Sequence, residues 1–318
     1  MEINLPVIDL RLEDSEVAKS LGLACSESGF FVVTNHGVPP ELMKGVYRCM
    51  VDFFSLSEEQ KFTALVNSSN RGFTPFKEEK LDVENQTTGD TKEGYYIGRS
   101  VSSEEVRKFP HPLQGENVWP DEEKLGLKKW RETMGKYFEQ MHVLGMKLLR
   151  LVSMSLNLSE DYFNESFTRP METLRLLKYG PDQSVPDAGV FGCGAHTDYG
   201  MLTLLSTDSI PGLQIYDSRK EQWISVVPRP SDFIVNIGDM LARWTNFKYK
   251  STLHRVVNVS GKERYSIPFF FEPNFEAVVT CLPSVLGEDE VAVHPPVIFG
   301  EHLLKKLTST HDLLSEKS

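Results

Sequence analysis

The residues of this chain that are best suited to chemistry are His196, Asp198 and His254. His196 and Asp198 stand two apart in the apolar run FGCGAHTDYGMLTLLST, and His254 follows 56 residues after Asp198. Side chains two apart on a strand point to the same face, so this first pair can bind one ion. Two imidazoles and one carboxylate cover one face of octahedral Fe(II) and leave three positions open for substrate and oxygen. The spacing therefore predicts a catalytic iron site made of these three side chains.

A lone histidine-x-acid pair is weak evidence by itself. With 8 histidines and 45 acidic residues in 318 positions, roughly one such match arises by chance, and a surface turn is the plain alternative. The surroundings favour metal ligands. Residues 251–257 (STLHRVV) are typical of a second strand, and His254 lies on one face of it.

A third strand is predicted over residues 264–271, RYSIPFFF. Arg264, Ser266 and Phe270 share one face of it, because strand side chains alternate with a period of two. Pro268 argues for an edge position or a bulge at this point, since proline cannot donate to a sheet ladder.

These segments carry a family resemblance. H-T-D-Y-G-x-L-T-L-L, I-G-D-M-L, S-T-L-H-R-V and E-R-Y-S-I-P-F-F resemble the core of the Fe(II)/2-oxoglutarate-dependent dioxygenases, in particular the plant-type group similar to isopenicillin N synthase. Residues 5–10 and 29–38 resemble the amino-terminal region of the same group. The resemblance spans nearly the whole chain and carries no information about the substrate.

The pattern of helices and strands agrees with this family. Helical spacing is predicted over 13–28, after Pro39-Pro40 and over 129–156, and short β-rich runs extend from about 172 to 279. Many short strands predict an antiparallel sandwich or barrel. The resemblance implies an α+β fold: a double-stranded β-helix (distorted jelly roll) core with flanking helices and a helical N-terminal region.

Four regions are predicted along the chain. Residues 1–128 form an N-terminal dioxygenase region with substrate-side loops, and 129–168 form a backing helix. Residues 169–282 form the Fe(II)/2-oxoglutarate jelly-roll core, and 283–318 form a C-terminal tail and helix.

The resemblance also implies a cosubstrate site. 2-Oxoglutarate would take two iron positions, and the charged fork of Arg264 with the hydroxyl of Ser266 would bind its remote carboxylate. Tyr179 in LKYGP matches a tyrosine that adds a further hydrogen bond. Many plant members have asparagine two residues before that tyrosine, where this chain has Leu177. Phe270 corresponds to an aromatic that stacks on the prime substrate.

Three further aromatics are candidates for the substrate mouth. Residues 66–128 contain few periodic segments, and stretches of that kind are often lids or binding loops. Phe73, Tyr95 and Tyr96 fall within it. The competing interpretation for each is ordinary packing of an aromatic side chain.

The bulk composition restricts partners and location. The net charge is −11, and no Lys/Arg run suggests a nucleic-acid partner. No apolar run approaches the roughly 20 residues that cross a bilayer. The N-terminus has neither the basic nor the apolar region of a signal peptide, so a cytoplasmic protein is expected. We also expect a monomer, with reduced cysteines and with Cys193 as a small buried residue beside the site and not a ligand.

The expected reaction consumes Fe(II)-bound oxygen and 2-oxoglutarate, with ascorbate stimulating, and oxidises a small organic metabolite of specialised metabolism, most simply by hydroxylation. One alternative keeps the fold: an iron oxidase of the isopenicillin N synthase or aminocyclopropane-carboxylate oxidase type, in which Arg264 would hold a substrate carboxylate. A second alternative is a jelly-roll binding protein without catalysis. Succinate release and oxygen consumption distinguish the three.

Overall fold

The computed structural model describes residues 2–310, so residues 311–318 at the end of the predicted C-terminal region lie outside the described part. The helices there are α1 (Asp14–Glu27), α2 (Pro40–Phe54), α3 (Glu58–Phe62), α4 (Ser103–Lys108), α5 (Glu122–Leu125), α6 (Trp130–Ser155), α7 (Asp239–Trp244) and α8 (Phe299–Thr310). The strands are β1 (Glu2–Ile3), β2 (Val7–Asp9), β3 (Phe30–Thr34), β4 (Gly72–Thr74), β5 (Lys92–Gly98), β6 (Thr173–Tyr179), β7 (Cys193–His196), β8 (Leu202–Thr207), β9 (Leu213–Asp217), β10 (Gln222–Val226), β11 (Phe233–Ile237), β12 (His254–Val256), β13 (Arg264–Phe271), β14 (Val278–Val279) and β15 (Val297–Ile298).

Two sheets build the core of the molecule. The larger has eight strands in the order β2-β3-β11-β8-β13-β6-β5-β4, and the smaller has five in the order β1-β10-β9-β12-β7. Phe30 and Ile234 of the large sheet pack against Ile215 and Ile224 of the small one in a single buried cluster. The two sheets with flanking helices give the α+β, double-stranded β-helix architecture that the sequence predicted.

Alternation along the strands divides the large sheet into two faces. Phe30 and Val32 of β3 pack between the two sheets, whereas Phe31 and Val33 pack into the cluster that contains the helices. Helix α6 supplies much of that second cluster through a stripe that includes Trp130. Each strand therefore directs one set of side chains into the space between the two sheets, where a site can form, and the other set towards the helices.

Strand β13 lies in the middle of the large sheet despite Pro268. It pairs with β8 on one side and β6 on the other. Its register with β6 is constant from Arg264 to Phe270, but the pairs at Ile267 and Pro268 are missing from the ladder. The prediction of an edge position or a bulge at Pro268 is therefore wrong. The sheet accommodates the proline by losing local pairing on one side only.

The prediction that residues 66–128 consist mainly of loops is wrong for its central part. Lys92–Gly98 form a fully buried strand, β5, between β6 and β4. Charged residues obscured its pattern in the sequence. Lys92 and Glu93 are buried because each forms ion pairs, Lys92 with Glu79 and Glu93 with Lys61.

Strands from the N-terminal 128 residues and from the predicted core share the large sheet, in which β5 pairs with β6 and β3 with β11. The division of the chain at 128, 168 and 282 stays a prediction. Among residues 2–310, no helix combines the length and apolar character needed to cross a membrane.

Candidate active site

His196, Asp198 and His254 meet at one end of the small sheet. His196 ends β7, His254 begins β12, and the two pair directly across the antiparallel ladder. Nε2 of each histidine lies 3.7 Å from Oδ1 of Asp198. One ligand atom from each residue falls within 4.8 Å of the other two. The cluster has the size and the donor set to hold one metal ion.

Asp198 reaches this position in a different way from the one predicted. The strand ends at His196, and Asp198 lies in the following loop. The expectation that both side chains share the face of one strand is therefore wrong. The chain turns after His196 and returns the carboxylate towards both imidazoles.

Both histidines are oriented by backbone carbonyls. Nδ1 of His196 lies 2.8 Å from the Gly194 carbonyl oxygen, and Nδ1 of His254 lies 3.1 Å from that of Thr252. In each ring Nδ1 therefore carries the proton, and the lone pair of Nε2 is directed at the cluster. Burial, reinforced by neighbouring His196, lowers the pKa of His254 to about 4. Its imidazole is therefore neutral at pH 7, as metal binding requires.

Two side chains that the sequence analysis missed fix the carboxylate. Thr203 Oγ1 donates to Oδ2 of Asp198 at 2.5 Å, and Asn236 Nδ2 donates to the same oxygen at 2.7 Å. Burial opposes ionisation of Asp198, but His254, His196 and these hydrogen bonds outweigh it and lower its pKa. Oδ1 stays directed at the histidines. An asparagine within the apolar run FIVNIG was the available signal.

Arg264 and Ser266 lie beside the cluster on the interior face of β13, as their strand parity predicted. Arg264 is 2% exposed, and its guanidinium carbon lies 4.9 Å from the ring centre of Tyr179 on the paired strand. Its Nε donates to the Ile210 carbonyl at 3.3 Å, but Nη1 is buried without any partner. A buried cation with an unused donor requires an anion. The residues present thus fit the remote carboxylate of 2-oxoglutarate.

A cavity, here called the inner cavity, joins this arginine to the cluster. Its wall includes His196, Asp198, His254, Arg264, Ser266, Tyr179, Leu177 and Phe270. Leu177 places an apolar surface in this wall. The wall also includes the charged side chains of Lys92 and Arg175.

A second cavity, here called the outer cavity, borders His196 and Asp198 of the same cluster. Its wall includes His196, Asp198, Arg71, Tyr96, Arg175, Phe270, Glu272, Leu303 and Leu307. Phe270 lines both cavities, and Tyr96 lines the outer one, so the structure brings these two of the four proposed substrate-binding aromatics to the site. A molecule in the outer cavity would lie next to the metal position.

Phe73 and Tyr95 are not at either cavity. Phe73 is 1% exposed and Tyr95 is fully buried, and both rings pack edge-on against Phe53. Trp130 closes the same cluster, and the Tyr95 hydroxyl donates to the Val118 carbonyl. The prediction that these two line the substrate mouth is wrong. Tyr95 and Tyr96 are neighbours on β5, so only one of them can face the site.

A network of four buried charged side chains at the cavity walls was also missed. Arg175 donates to both carboxylate oxygens of Glu79, at 3.1 and 2.8 Å, and Lys92 lies 2.6 Å from Glu79. Lys92 also pairs with Asp90, which accepts from the backbone N–H of Gly194 at 2.8 Å. This network ties the segment before β5 to the strand that ends at His196. Arg175 is far in sequence from Glu79, Asp90 and Lys92, so spacing gave no signal for the network.

The chain is similar to known proteins along most of its length. Residues 5–122 match the model of the N-terminal region of non-haem dioxygenases in morphine synthesis, and residues 171–273 match that of the 2OG-Fe(II) oxygenase superfamily. A 2-oxoglutarate-Fe(II) type oxidoreductase of Emericella nidulans is 36% identical over 278 residues, covering 86% of this chain and 79% of that protein.

Two further similarities are to an oxidase and to a protein of known crystal structure. A 1-aminocyclopropane-1-carboxylate oxidase of Dictyostelium discoideum is 33% identical, covering 89% of this chain and 86% of that protein. The crystal structure of a full-length Neurospora crassa protein in complex with alpha-KG has a TM-score of 0.83 and 30% identity, and the match covers 96% of each chain. These comparisons support 2-oxoglutarate dependence over the oxidase alternative and do not support a non-catalytic binding protein. The chain belongs to the 2OG-Fe(II) oxygenase superfamily, and it is an oxidoreductase that uses Fe(II) and 2-oxoglutarate.

Proposed function

We propose that His196, Asp198 and His254 are the Fe(II) ligands and that Arg264, assisted by Ser266, binds the remote carboxylate of 2-oxoglutarate. One observation supports this most strongly: a buried guanidinium with an unused donor lines the same cavity as the three-residue cluster. Tyr179 lies under the guanidinium and holds it in place, adding a polar group to the same wall. Bound Fe(II) supplies the centre at which oxygen is activated.

The proposed reaction is hydroxylation of a small organic metabolite. Substrate, oxygen and 2-oxoglutarate give hydroxylated product, succinate and carbon dioxide, so one oxygen atom enters the product and the other enters succinate. The outer cavity orients the substrate, with Phe270 at the boundary between the two cavities and Tyr96 on the wall. The crystal structure of the Neurospora crassa relative with alpha-KG and thymine supports a substrate of this size.

A succinate-release assay tests the proposal directly. Purified protein is supplied with Fe(II), 2-oxoglutarate, ascorbate and oxygen, and it is screened against phenolics, terpenoid acids, alkaloids and small organic acids. Succinate should form slowly without a substrate and faster with a correct one, in a one-to-one ratio with oxidised product. Absence of any succinate from protein loaded with iron would contradict the proposal.

The proposal extends to the setting of the enzyme. It acts in the cytoplasm on specialised metabolites, as a monomer without nucleic-acid partners, and ascorbate stimulates it. The four cysteines are all free thiols, which suits a reducing compartment. The net charge of −11 opposes binding to phosphate backbones.

A further inference from the structure

The outer cavity contains two arginines in different states. Arg175 is fully engaged, because Glu79 binds it through two hydrogen bonds and its guanidinium carbon lies 4.3 Å from the ring centre of Tyr96. Arg71 is 7% exposed. Among residues 2–310, no carboxylate oxygen lies within 4.0 Å of its guanidinium nitrogens, so it forms no ion pair. Unlike Arg175, Arg71 therefore has no anionic partner in direct contact with it.

Backbone carbonyls hold Arg71 in place without cancelling its charge. Nη1 donates to the carbonyls of Ser69 and Asn70 at 3.2 and 3.1 Å, and Nη2 lies 3.5 Å from that of Leu113. Nε is buried with no partner. Gly98 packs so closely against the guanidinium that any side chain there would displace it. Glu272 attracts Arg71 only from beyond ion-pair distance. A buried, rigid cation without an ion-pair partner is costly unless an anion binds beside it.

Glu272 gives the same cavity an acceptor. It follows β13 directly, is 6% exposed and makes no ion pair within 4.0 Å among the described residues. Its carboxyl can accept a hydrogen bond from a substrate N–H or O–H. Burial raises the pKa of Glu272 to about 8. Above that pH the ionised carboxylate repels a second substrate carboxylate and disfavours dicarboxylates in this cavity.

The rest of the wall is largely apolar. The side chains that supply it are Leu81, Leu113, Met171, Phe270, Leu303 and Leu307. Such a surface suits a ring or a short hydrocarbon body, with few polar groups fixing its orientation.

We propose that the prime substrate is a small monocarboxylic acid with an apolar body and a second hydrogen-bond donor. Its carboxylate binds Arg71, its N–H or O–H group faces Glu272, and its body lies against Phe270. This inference rests on the proposed function, because the outer cavity is a substrate site only if the adjoining cluster is the reaction centre. The enzyme then has two carboxylate anchors, Arg264 in the inner cavity for the cosubstrate and Arg71 in the outer cavity for the substrate.

Matched acids and amides test the role of charge. Anaerobic protein loaded with Fe(II) and 2-oxoglutarate is titrated calorimetrically with 4-hydroxybenzoate, 4-aminobenzoate and indole-3-acetate, and with the carboxamide of each. At least one acid should bind more than about tenfold tighter than its carboxamide, the scale expected for a charge-assisted hydrogen bond. Equal binding of acids and carboxamides, or no binding of any acid to protein that binds 2-oxoglutarate, would overturn the proposal.

Variants locate the effect. Arg71→Gln should abolish the preference for the acid while the dissociation constant of 2-oxoglutarate stays within about twofold. Arg99→Gln is the matched control, because Arg99 pairs with Glu105 and does not line the outer cavity; it should retain the preference. An Arg71→Gln protein that still prefers the acid would contradict the assignment.

Glu272→Gln provides a second test that does not depend on the folding of an Arg71 variant. Burial raises the pKa of Glu272 to about 8, so the titrations are made at pH 8.5, where the carboxyl is mostly ionised. Removing its charge should narrow the difference in affinity between terephthalate, a dicarboxylate, and 4-hydroxybenzoate by about tenfold. An unchanged difference would contradict the role of Glu272. Failure of the loaded protein to bind Fe(II) or 2-oxoglutarate at all is a separate result, which would reject the proposed function and this inference with it.

Discussion

His196 and His254 face each other as a direct pair on adjacent antiparallel strands, with ring centres 4.3 Å apart. The sheet therefore fixes the separation of the two imidazoles before any ion binds. Asp198 completes the cluster from a loop, so its position depends on the hydrogen bonds from Thr203 and Asn236. Rigid strands hold two of the proposed ligands and a hydrogen-bonded loop holds the third.

Replacing His254 with alanine should abolish substrate turnover and iron binding while leaving the fold largely intact. The side chain supplies one of three ligands, and a site with two ligands binds Fe(II) far more weakly. Iron content after dialysis and succinate release measure the effect. His294→Ala is the control, since this exposed histidine lies outside the cluster and its ring packs on Phe247. A His254→Ala protein with wild-type activity at limiting iron would contradict the assignment.

Replacing Arg264 with lysine should raise the Michaelis constant for 2-oxoglutarate by about ten- to a hundredfold, because an ammonium does not reproduce the planar fork. Arg229→Lys is the control, since Arg229 pairs with Asp232 outside both cavities. The measurement is succinate formation against 2-oxoglutarate concentration. An unchanged constant would assign Arg264 to the prime substrate and favour the oxidase alternative.

Removing the two hydrogen bonds to Asp198 should loosen the metal without removing a ligand. Thr203→Val and Asn236→Leu should each weaken iron binding by about ten- to a hundredfold, the usual scale for partners of metal ligands. Thr245→Val is the control, because it removes the same hydroxyl from a buried threonine that bonds helix α7 carbonyls and the backbone of Tyr249. Competition with an iron chelator measures the affinity. Equal affinities in Thr203→Val and Thr245→Val would show that this hydrogen bond does not position Asp198.

Truncation of Phe270 should lower substrate affinity, whereas truncation of Phe73 should lower the stability of the fold. Phe270→Ala should weaken the prime substrate by about 1 to 3 kcal/mol, because the ring lines the outer cavity. Phe73→Ala should leave substrate affinity unchanged and lower the free energy of unfolding by about 3 to 5 kcal/mol, because its ring is packed in the core. Substrate titration and denaturant unfolding separate the two effects. A substrate-specific loss in Phe73→Ala would contradict the core placement.

Glu272 should make the stability of the metal-free protein depend on pH. Burial, with a smaller effect of Asp198, raises the pKa of Glu272 from 4.5 to about 8. Between pH 4.5 and about 8, Glu272 is protonated in the folded state and ionised in the unfolded state. The stability that protonated Glu272 contributes is therefore fully present below pH 4.5 and is lost as the pH rises through about 8.

Glu272→Gln should therefore be more stable than the wild-type protein at pH 8.5 by more than about 1 kcal/mol, and the difference should shrink towards pH 4.5. Denaturant unfolding at several pH values measures it. Glu123→Gln, at an exposed position of α5, should show no such trend. A stability difference that is independent of pH would show that Glu272 is ionised throughout.

The sequence by itself determined the parts of the site that lie on one strand or recur at short spacing. Arg264, Ser266 and Phe270 reach the interior because side chains alternate along β13, and that alternation is visible in eight residues of sequence. The helices over 13–28 and 129–156 were equally evident, because each repeats its apolar residues with a helical period.

Only the tertiary structure decided which polar and aromatic groups meet across the chain. Asp198 leaves the strand that its spacing predicted, and Asn236 and Thr203 reach it from two other strands. Phe73 and Tyr96 belong to paired strands, yet one packs in the core and the other lines the outer cavity. Strand pairing and burial bring together residues that are far apart in the chain, and no local spacing records such contacts.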